Sequence, residues 1–414
     1  MNSEKTNKQP LSSHANGHAR VRYDELLPEY DLQNPIPQIK ILMIIECAGA
    51  GTGRHVLEVA DGLLKLGLCV HVIYSTNRID NLFKSGLAKI ANLKAHPILM
   101  TTNPSPKDLS VVKQIKKYMK EQGPFDIVHG HSSKGGAIAR LAALGTSSKA
   151  FYTLHGMTVI DPTISKVKRA MYWIVENVLA RRTSRIIAVS PEEARSAVKA
   201  GLGEKRVVLA PNGVGNLNLT PREEARAKLQ LQPQHIAIGF VGRLVDQKAP
   251  HVLVESFART CSVAPDARLV IVGNGPLMQN LKDQGTQLGV LEKMIFCGEI
   301  DARTVFAAFD IFAISSRKEG LPYVVLEALA TGIPIVATMA SCVEILIEND
   351  VNGFIVPTDN VGQFANSLIS LASDRDKIVR YGKESLRIAK NFTIQAMVLR
   401  TLTAYTNVVA KNEN

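Results

Sequence analysis

Apolar positions along the chain fall into two alternating patterns. Short β-branched runs at residues 39–45, 69–74, 125–128, 151–154, 186–189 and 207–209 have the length of buried strands. Between most of them, apolar residues recur at three- and four-residue steps. Val56, Leu57, Ala60, Leu63 and Leu64 do so with Glu58, Asp61 and Lys65 interleaved, which predicts a helix with one face on a core. Residues 113–119 and 164–179 read the same way. This alternation predicts a parallel sheet with helices on both faces. A polar connector, 220–234, interrupts the series. Within it, Thr220-Pro221-Arg222-Glu223 reads as a helix start capped by Thr220. Strand-like runs then resume at 236–241, 269–272, 294–296, 311–314, 333–337 and 354–356, with helices expected over 323–330 and 393–409.

The restart after a polar connector predicts two doubly wound α/β domains instead of one large sheet. The expected division is a flexible extension at 1–37, a first domain at 38–219, a second at 220–390, and a last helix at 391–414 packing back on the first domain. Two such domains enclose a cleft, and in open parallel sheets ligands bind at the carboxyl ends of the strands. Functional residues are therefore expected in the loops that follow strands.

Composition narrows the class. The chain has 414 residues, 46% of them hydrophobic and 21% charged, close to the globular average, which excludes wholesale disorder. Its longest apolar runs fall far below the ~18–20 residues of a membrane span. The polar N-terminus lacks the apolar core of a secretory signal. Cys47, Cys69, Cys261, Cys297 and Cys342 form no CxxC pair, and reduced thiols of a cytoplasmic protein are expected. The net charge is +12, and all of the excess lies in residues 1–235, the remainder being slightly acidic. The first half therefore faces something anionic: nucleic acid, lipid or a phosphorylated substrate. Aromatics are only 5% and no nucleic-acid motif appears, so no nucleic-acid partner is expected. Lys113, Lys116, Lys117 and Lys120 recur at helical spacing. Lys166, Lys168 and Arg169 precede Met171, Trp173 and Ile174, with Arg181, Arg182 and Arg185 beyond. Such a helix can lie on an anionic membrane, or its Trp173 can belong to an ordinary core.

Three loops carry candidate chemistry. Glu46-Cys47-Ala48-Gly49-Ala50-Gly51-Thr52-Gly53-Arg54-His55 leads into a helix start, a site where glycines permit positive φ and free N–H groups attract anions. It is not a GxGxxG fingerprint, because the third glycine comes one residue early and no acidic residue is expected to end the next strand. Gly242-Arg243-Leu244-Val245-Asp246-Gln247-Lys248 offers a bidentate fork and a point charge, a pair suited to a diphosphate. Glu319 follows another strand, and Glu327 lies in an apolar helix where a carboxylate needs partners such as sugar hydroxyls. The alternatives are solvated surface cations and an exposed helix face. His129 and His131 alternate on a strand end, where a structural or acceptor-side role is expected over metal binding. Asp374-Arg375-Asp376 reads as a polar turn.

Gly242-Arg243…Lys248 followed by Glu319-x7-Glu327 resembles glycosyltransferase family 4, the retaining nucleotide-sugar transferases of GT-B fold, over nearly all of residues 39–400. Thr153-Leu154-His155-Gly156, Pro211-Asn212-Gly213-Val214 and Val272-Gly273-Asn274-Gly275-Pro276 extend the match. The segment 126–134 resembles the members that build capsules, exopolysaccharides and lipopolysaccharide. The resemblance implies two Rossmann-like domains across a cleft. It places Arg243 and Lys248 on the donor diphosphate and Glu327 on the ribose. Glu319, Gly320 and Leu321 would lie beside the donor sugar, with His155 touching it. Gly51 and Gly53 would let backbone approach the diphosphate. Phe296-Cys297-Gly298 would lie near the base, and residues 341–344 at sugar and phosphate. Glu319, Arg243, Lys248 and His155 are thus the expected catalytic group. No metal and no cofactor are implied. The donor is a UDP- or GDP-sugar, the acceptor lipid-linked or an oligosaccharide, and the place the inner face of the plasma membrane. A nucleotide-sugar epimerase and a non-catalytic binding protein share the fold. Three departures stand out: Ala249 where a glycine is usual, Ala340-Ser341-Cys342-Val343 where the loop is usually glycine-rich, and Gly215 where an Asp is usual.

Overall fold

The computed structural model of the chain describes residues 25–156 and 164–410. Strands β1 (Lys40–Ala48), β2 (Cys69–Ile79), β3 (Lys94–Ile98), β4 (Ile127–His131), β5 (Lys149–Thr153), β6 (Arg185–Ala188) and β7 (Val207–Leu209) form one parallel sheet in the order β3-β2-β1-β4-β5-β6-β7. Strands β8 (Ile236–Val241), β9 (Ala267–Val272), β10 (Met294–Gly298), β11 (Ile311–Ile314), β12 (Ile335–Thr338) and β13 (Gly353–Val356) form a second, ordered β10-β9-β8-β11-β12-β13. The first half carries helices α1 (Ala50–Lys65), α2 (Asn81–Lys89), α3 (Lys107–Gln122), α4 (Ser132–Ala143), α5 (Lys166–Ala180) and α6 (Pro191–Lys199). The second carries α7 (Arg222–Lys228), α8 (Pro250–Cys261), α9 (Met278–Gln287), α10 (Tyr323–Ala330), α11 (Val361–Ala372) and α12 (Arg375–Ala389), and α13 (Ile394–Val409) closes the chain. These are the two doubly wound α/β units of a GT-B fold. Among the described residues no helix is long and apolar enough to cross a membrane.

The central strands are buried on both faces, which is why they read as unbroken apolar runs. Ile41, Met43 and Ile45 face a core shared with Val56, Val59 and Leu63 of α1, and Leu42 and Ile44 face one with Val111, Ile115 and Ile138. Burying each such side chain stabilises by ~1.5–3 kcal/mol. The strand order turns back between β1 and β4 and again between β8 and β11, so each sheet opens a crevice there at its carboxyl edge.

Helix α13 lies on the first domain. The chain recrosses at Val214, which bridges to Thr393. A Cβ at Gly62 of α1 would lie 2.4 Å from Val398, so only glycine lets the two helices approach. Tyr405 OH meets His129 Nδ1 at 2.6 Å.

Several elements differ from expectation. Residues 25–37, assigned to a flexible extension, are docked: Leu27 N donates to Leu209 O at 2.8 Å, Tyr30 N to Leu399 O at 3.2 Å, and Glu29 pairs with Arg400 at 3.1 Å. Leu26 is buried and Leu27, Tyr30 and Ile36 pack on the core, so a few apolar anchors hold a polar segment. Residues 1–24 lie outside the described residues, as do 411–414 of the last segment. Strand β3 escapes the apolar pattern because it is an edge strand with only Ile98 buried. Helix α7 begins one residue later than expected, with Pro221 at the cap position and no side-chain cap, so Thr220 does not cap it. Asp374 is the cap of α12, accepting from Lys377 N at 2.8 Å.

Candidate active site

The first-domain wall of the cleft starts at α1. The left-handed turn there falls on Ala50 (φ 49°), not on Gly49, Gly51 or Gly53, which corrects the expectation that those glycines supply positive φ. Gly51 and Gly53 lie in the first turn of the helix. Gly53 is small for packing, since a Cβ would lie 3.0 Å from the Phe83 ring and 3.1 Å from the Ala48 carbonyl carbon. Gly51 faces the second domain, where a Cβ would touch Tyr323 at 3.4 Å. An acidic residue does follow the second strand, because β2 runs on to Ile79. Asp80 accepts from Ala50 N and Phe83 N, both at 2.7 Å, so both its oxygens are already engaged in fastening α1 to α2.

The second-domain wall gathers loops after β8, β10, β11 and β12. Arg243 is exposed, and among the described residues its side chain makes no hydrogen bond or ion pair. Lys248 Nζ sits 2.5 Å from Glu319 Oε1, which also accepts from Ser316 Oγ at 2.6 Å. Ser315 Oγ donates to the carbonyls of Lys248 and Ala249 at 3.0 and 2.9 Å, locking one loop to the next. The unusual residues occupy strained backbone. Ala249 has φ 44° and ψ 46°, and Cys342 has φ 53° and ψ 38°, the left-handed region where glycine costs least. This chain keeps those turns without glycine. The Cys342 thiol, pushed up to about 12 by burial, donates to the Glu319 carbonyl at 3.1 Å, and Glu319 N donates to Ala340 O at 3.1 Å. Gly298 ends β10 with φ 68° and accepts from Gly273 N at 2.8 Å.

Two sets of contacts join the walls. Glu327, read as needing a partner such as a sugar hydroxyl, finds a cation within the chain instead: Arg54 NH1 lies 2.6 Å from its Oε1. Arg54 also pairs with Glu58 at 2.8 Å and lies 4.2 Å over the Tyr323 ring, whose OH donates to Glu58 at 3.1 Å. The second set runs through Asn212, whose Oδ1 faces His55 Nδ1 at 2.9 Å while its Nδ2 donates to Leu321 O at 3.0 Å.

Histidines fill the floor between them. His131 ends β4 and its Nδ1 lies 3.3 Å from Nε2 of His155, which follows β5 with φ 52°. Nitrogens of His55, His131 and His155 all lie within 4.8 Å of one another, and these are the described residues that could hold a metal ion. Burial lowers the pKa of His55 to about 4 and those of His131 and His155 well below the ordinary value, so all three are neutral at pH 7. His131 Nε2 is buried without a partner among the described residues. His129 is instead a structural residue, held by Tyr405 and by Thr153 Oγ1 at 2.8 Å.

Sequence reasoning missed Glu193. It is buried on α6, accepts from Val189 N at 3.0 Å and from Gly156 N, and stands 3.3 Å from where a Cβ of Gly320 would be. Burial pushes its carboxyl up to about 7. The available signal was Ser190-Pro191-Glu192-Glu193, a capping box in which Ser190 Oγ accepts from Glu193 N at 3.2 Å. Its glutamate turns towards the His155–Gly156 corner.

Comparison with known proteins agrees with the fold and names the family. Residues 49–215 match the family model described as Glycosyltransferase Family 4, and residues 221–387 match Glycosyl transferases group 1. An Escherichia coli UDP-Gal:alpha-D-GlcNAc-diphosphoundecaprenol alpha-1,3-galactosyltransferase is 28% identical over 73% of this chain and 80% of its own. The Escherichia coli O-antigen biosynthesis glycosyltransferase WbnH is 27% identical over 70% and 78%. In fold, the crystal structure of Anabaena Alr3699/HepE with UDP matches with a TM-score of 0.74 at 22% identity, covering 87% of this chain and 97% of that one. The two family models together span about four fifths of the sequence, one on each domain, and the chain belongs to the glycosyltransferases, with a family 4 first domain and a group 1 second domain.

Proposed function

We propose that the chain transfers a hexose, with retention at the anomeric carbon, from a nucleoside-diphosphate sugar to a lipid-linked or oligosaccharide acceptor in surface-polysaccharide synthesis, working from the cytoplasmic face of a membrane. One observation carries the reading. Arg243 follows β8 at the carboxyl edge of the second sheet with its side chain exposed and unpaired among the described residues, on the same loop as Lys248, whose ammonium is already balanced by the Glu319 carboxylate. A diphosphate entering there takes the guanidinium as a bidentate partner and shares the ammonium with Glu319. As the bond from the anomeric carbon to the phosphate oxygen breaks, charge develops on that oxygen. Each cation already in place is worth ~3–4 kcal/mol of barrier. The acceptor hydroxyl attacks the same face and its proton passes to the departing phosphate oxygen. Glu319 steadies the positive charge at the anomeric carbon.

The opposite wall fits a sugar. His131 and His155 are neutral imidazoles that accept or donate hydrogen bonds without adding charge, and the unpartnered His131 Nε2 suits a hydroxyl. Glu327 serves the ribose once Arg54 releases it. A uridine donor is favoured because one relative is named as a UDP-Gal transferase and the Anabaena structure holds UDP.

The test is a panel of nucleotide sugars with a lipid-diphosphate-linked sugar acceptor, followed by NMR of the product linkage. Transfer with the donor's anomeric configuration retained is expected. Inverted product, donor conversion without acceptor, or tight donor binding without turnover would each replace this reading, the last two with an epimerase and a binding protein.

A further inference from the structure

Helix α5 is built inside out. Its buried side is fixed to the first domain by charge: Arg140 NH1 and NH2 meet the Glu176 carboxylate at 2.8 and 3.1 Å, with Arg140 stacked 4.3 Å over Tyr152. Trp173 Nε1 and Asn177 Nδ2 both donate to Ala200 O, at 2.8 and 2.9 Å. Its outer side is apolar. Val167, Met171, Ile174 and Val178 are 81, 47, 56 and 57% exposed, and steps of four, three and four residues bring them within an arc of about 60° at ~100° per residue. A helix on a globular surface normally turns such a stripe inward.

Cations surround the stripe. Lys166, Lys168 and Arg169 lie in its first turn, and Arg181 and Arg182 follow its last. Arg181, Arg182, Arg185, Lys205 and Arg206 line a basin below that end, with Glu204 as its acid. Among the described residues none of these eight cations forms an ion pair, while Glu176, the helix's own acid, is buried against Arg140. Water solvates the cations well but leaves the four apolar side chains exposed. A nucleic acid satisfies only the charges and a protein groove only the stripe, whereas a bilayer with anionic headgroups satisfies both.

We infer that the outer face of α5, with the basin of arginines at its C-terminal end, is the surface by which this protein docks on an anionic membrane. The stripe enters the headgroup layer and the basin takes phosphate headgroups. The helix cap, Ser165, lies ten residues after His155, which tethers the docked helix to within about 36 Å of the sugar site. The inference rests on the glycosyltransferase reading only for its purpose, delivery of a lipid-linked acceptor.

Trp173 is the chain's one tryptophan and reports on this helix directly. Full-length protein is mixed with phosphatidylglycerol–phosphatidylcholine vesicles and with pure phosphatidylcholine vesicles, reading Trp emission and co-sedimentation. Binding with a blue shift is expected on the anionic vesicles, weakening as salt rises. The double variant R181A/R182A should lose about thirtyfold in partition, two cations at ~1 kcal/mol each. I174E or V178E should lose on the order of tenfold. Both positions are exposed, so melting temperature should not move. Equal binding to both vesicle types, no Trp shift, duplex RNA bound as tightly as anionic vesicles, or a dimer that I174E dissolves would each overturn the inference. Transfer to a short water-soluble acceptor is measured in parallel and should stay within about twofold in the variants. If that transfer is absent in the parent protein, the sugar-transfer reading fails while the vesicle result still stands or falls alone.

Discussion

Replacing Lys248 with alanine removes one half of a largely buried ion pair. The Lys248 and Glu319 side chains are 17 and 10% exposed and 2.5 Å apart. Without the ammonium, Glu319 keeps Ser316 as its side-chain partner. Breaking a buried pair on one side costs ~3–5 kcal/mol because the remaining charge is stranded. For a domain of this size that corresponds to a drop of about 6–20 °C in melting temperature. Lys248→Ala, Glu319→Gln and the double variant, followed by differential scanning fluorimetry, form a cycle. The expected result is strong non-additivity, with the double variant losing less than the sum by ~1 kcal/mol or more. At a temperature where all variants remain folded, Lys248→Ala should also lose roughly 10²–10³-fold in kcat. Additive stability losses would refute the pairing, and a kcat within about threefold of the parent would refute the role of Lys248 at the leaving group.

Glu327 and Arg54 should separate in kinetics: Glu327→Ala should raise the KM for the nucleotide sugar about tenfold, whereas Arg54→Ala, which removes a competitor for Glu327, should lower it by about threefold; equal losses would mean that Arg54 itself holds the donor. Stability should fall on acidification. Burial holds His55 near 4, His129 near 3, and His131 and His155 well below the ordinary value, while Glu193 is raised to about 7 and opposes them. The unfolded histidines take up protons first, so their contribution is complete above about pH 6.5 and is lost as pH falls towards 4, at up to ~4 kcal/mol per pH unit for about three net protons; a melting temperature that stays flat or rises from pH 7 to pH 5 would contradict this. Transfer should survive a strong chelator, and loss of activity restored by zinc would move His55, His131 and His155 into a metal site.

Much of the fold was legible because the central strands are buried on both faces and interrupted by turn residues. Strands 207–209, 236–241 and 311–314 and helix 323–330 appear with the expected bounds. What escaped shares a cause. Strand β3, the end of β2 and the docking of residues 25–37 rest on edges and a few anchors, which leave no periodic signature. Within the site, the residues that follow strands could be named from position alone. Their partners could not. His55 meets Asn212 across 157 residues and Arg54 meets Glu327 across 273, and no local pattern encodes such pairs. Glu193 offers in sequence only the last position of a capping box, because its second role depends on where the 155–156 corner folds.

A donor diphosphate held at the carboxyl edge of the second sheet is the central claim, and Arg243 tests it most directly. Arg243 is exposed and unpaired among the described residues, so Arg243→Ala leaves the folded protein intact. The decisive measurement is kcat/KM for the preferred nucleotide sugar in that variant, beside its melting temperature. A fall of roughly 10²–10³-fold with an unchanged melting temperature is predicted. Near-parental turnover would place the diphosphate somewhere else.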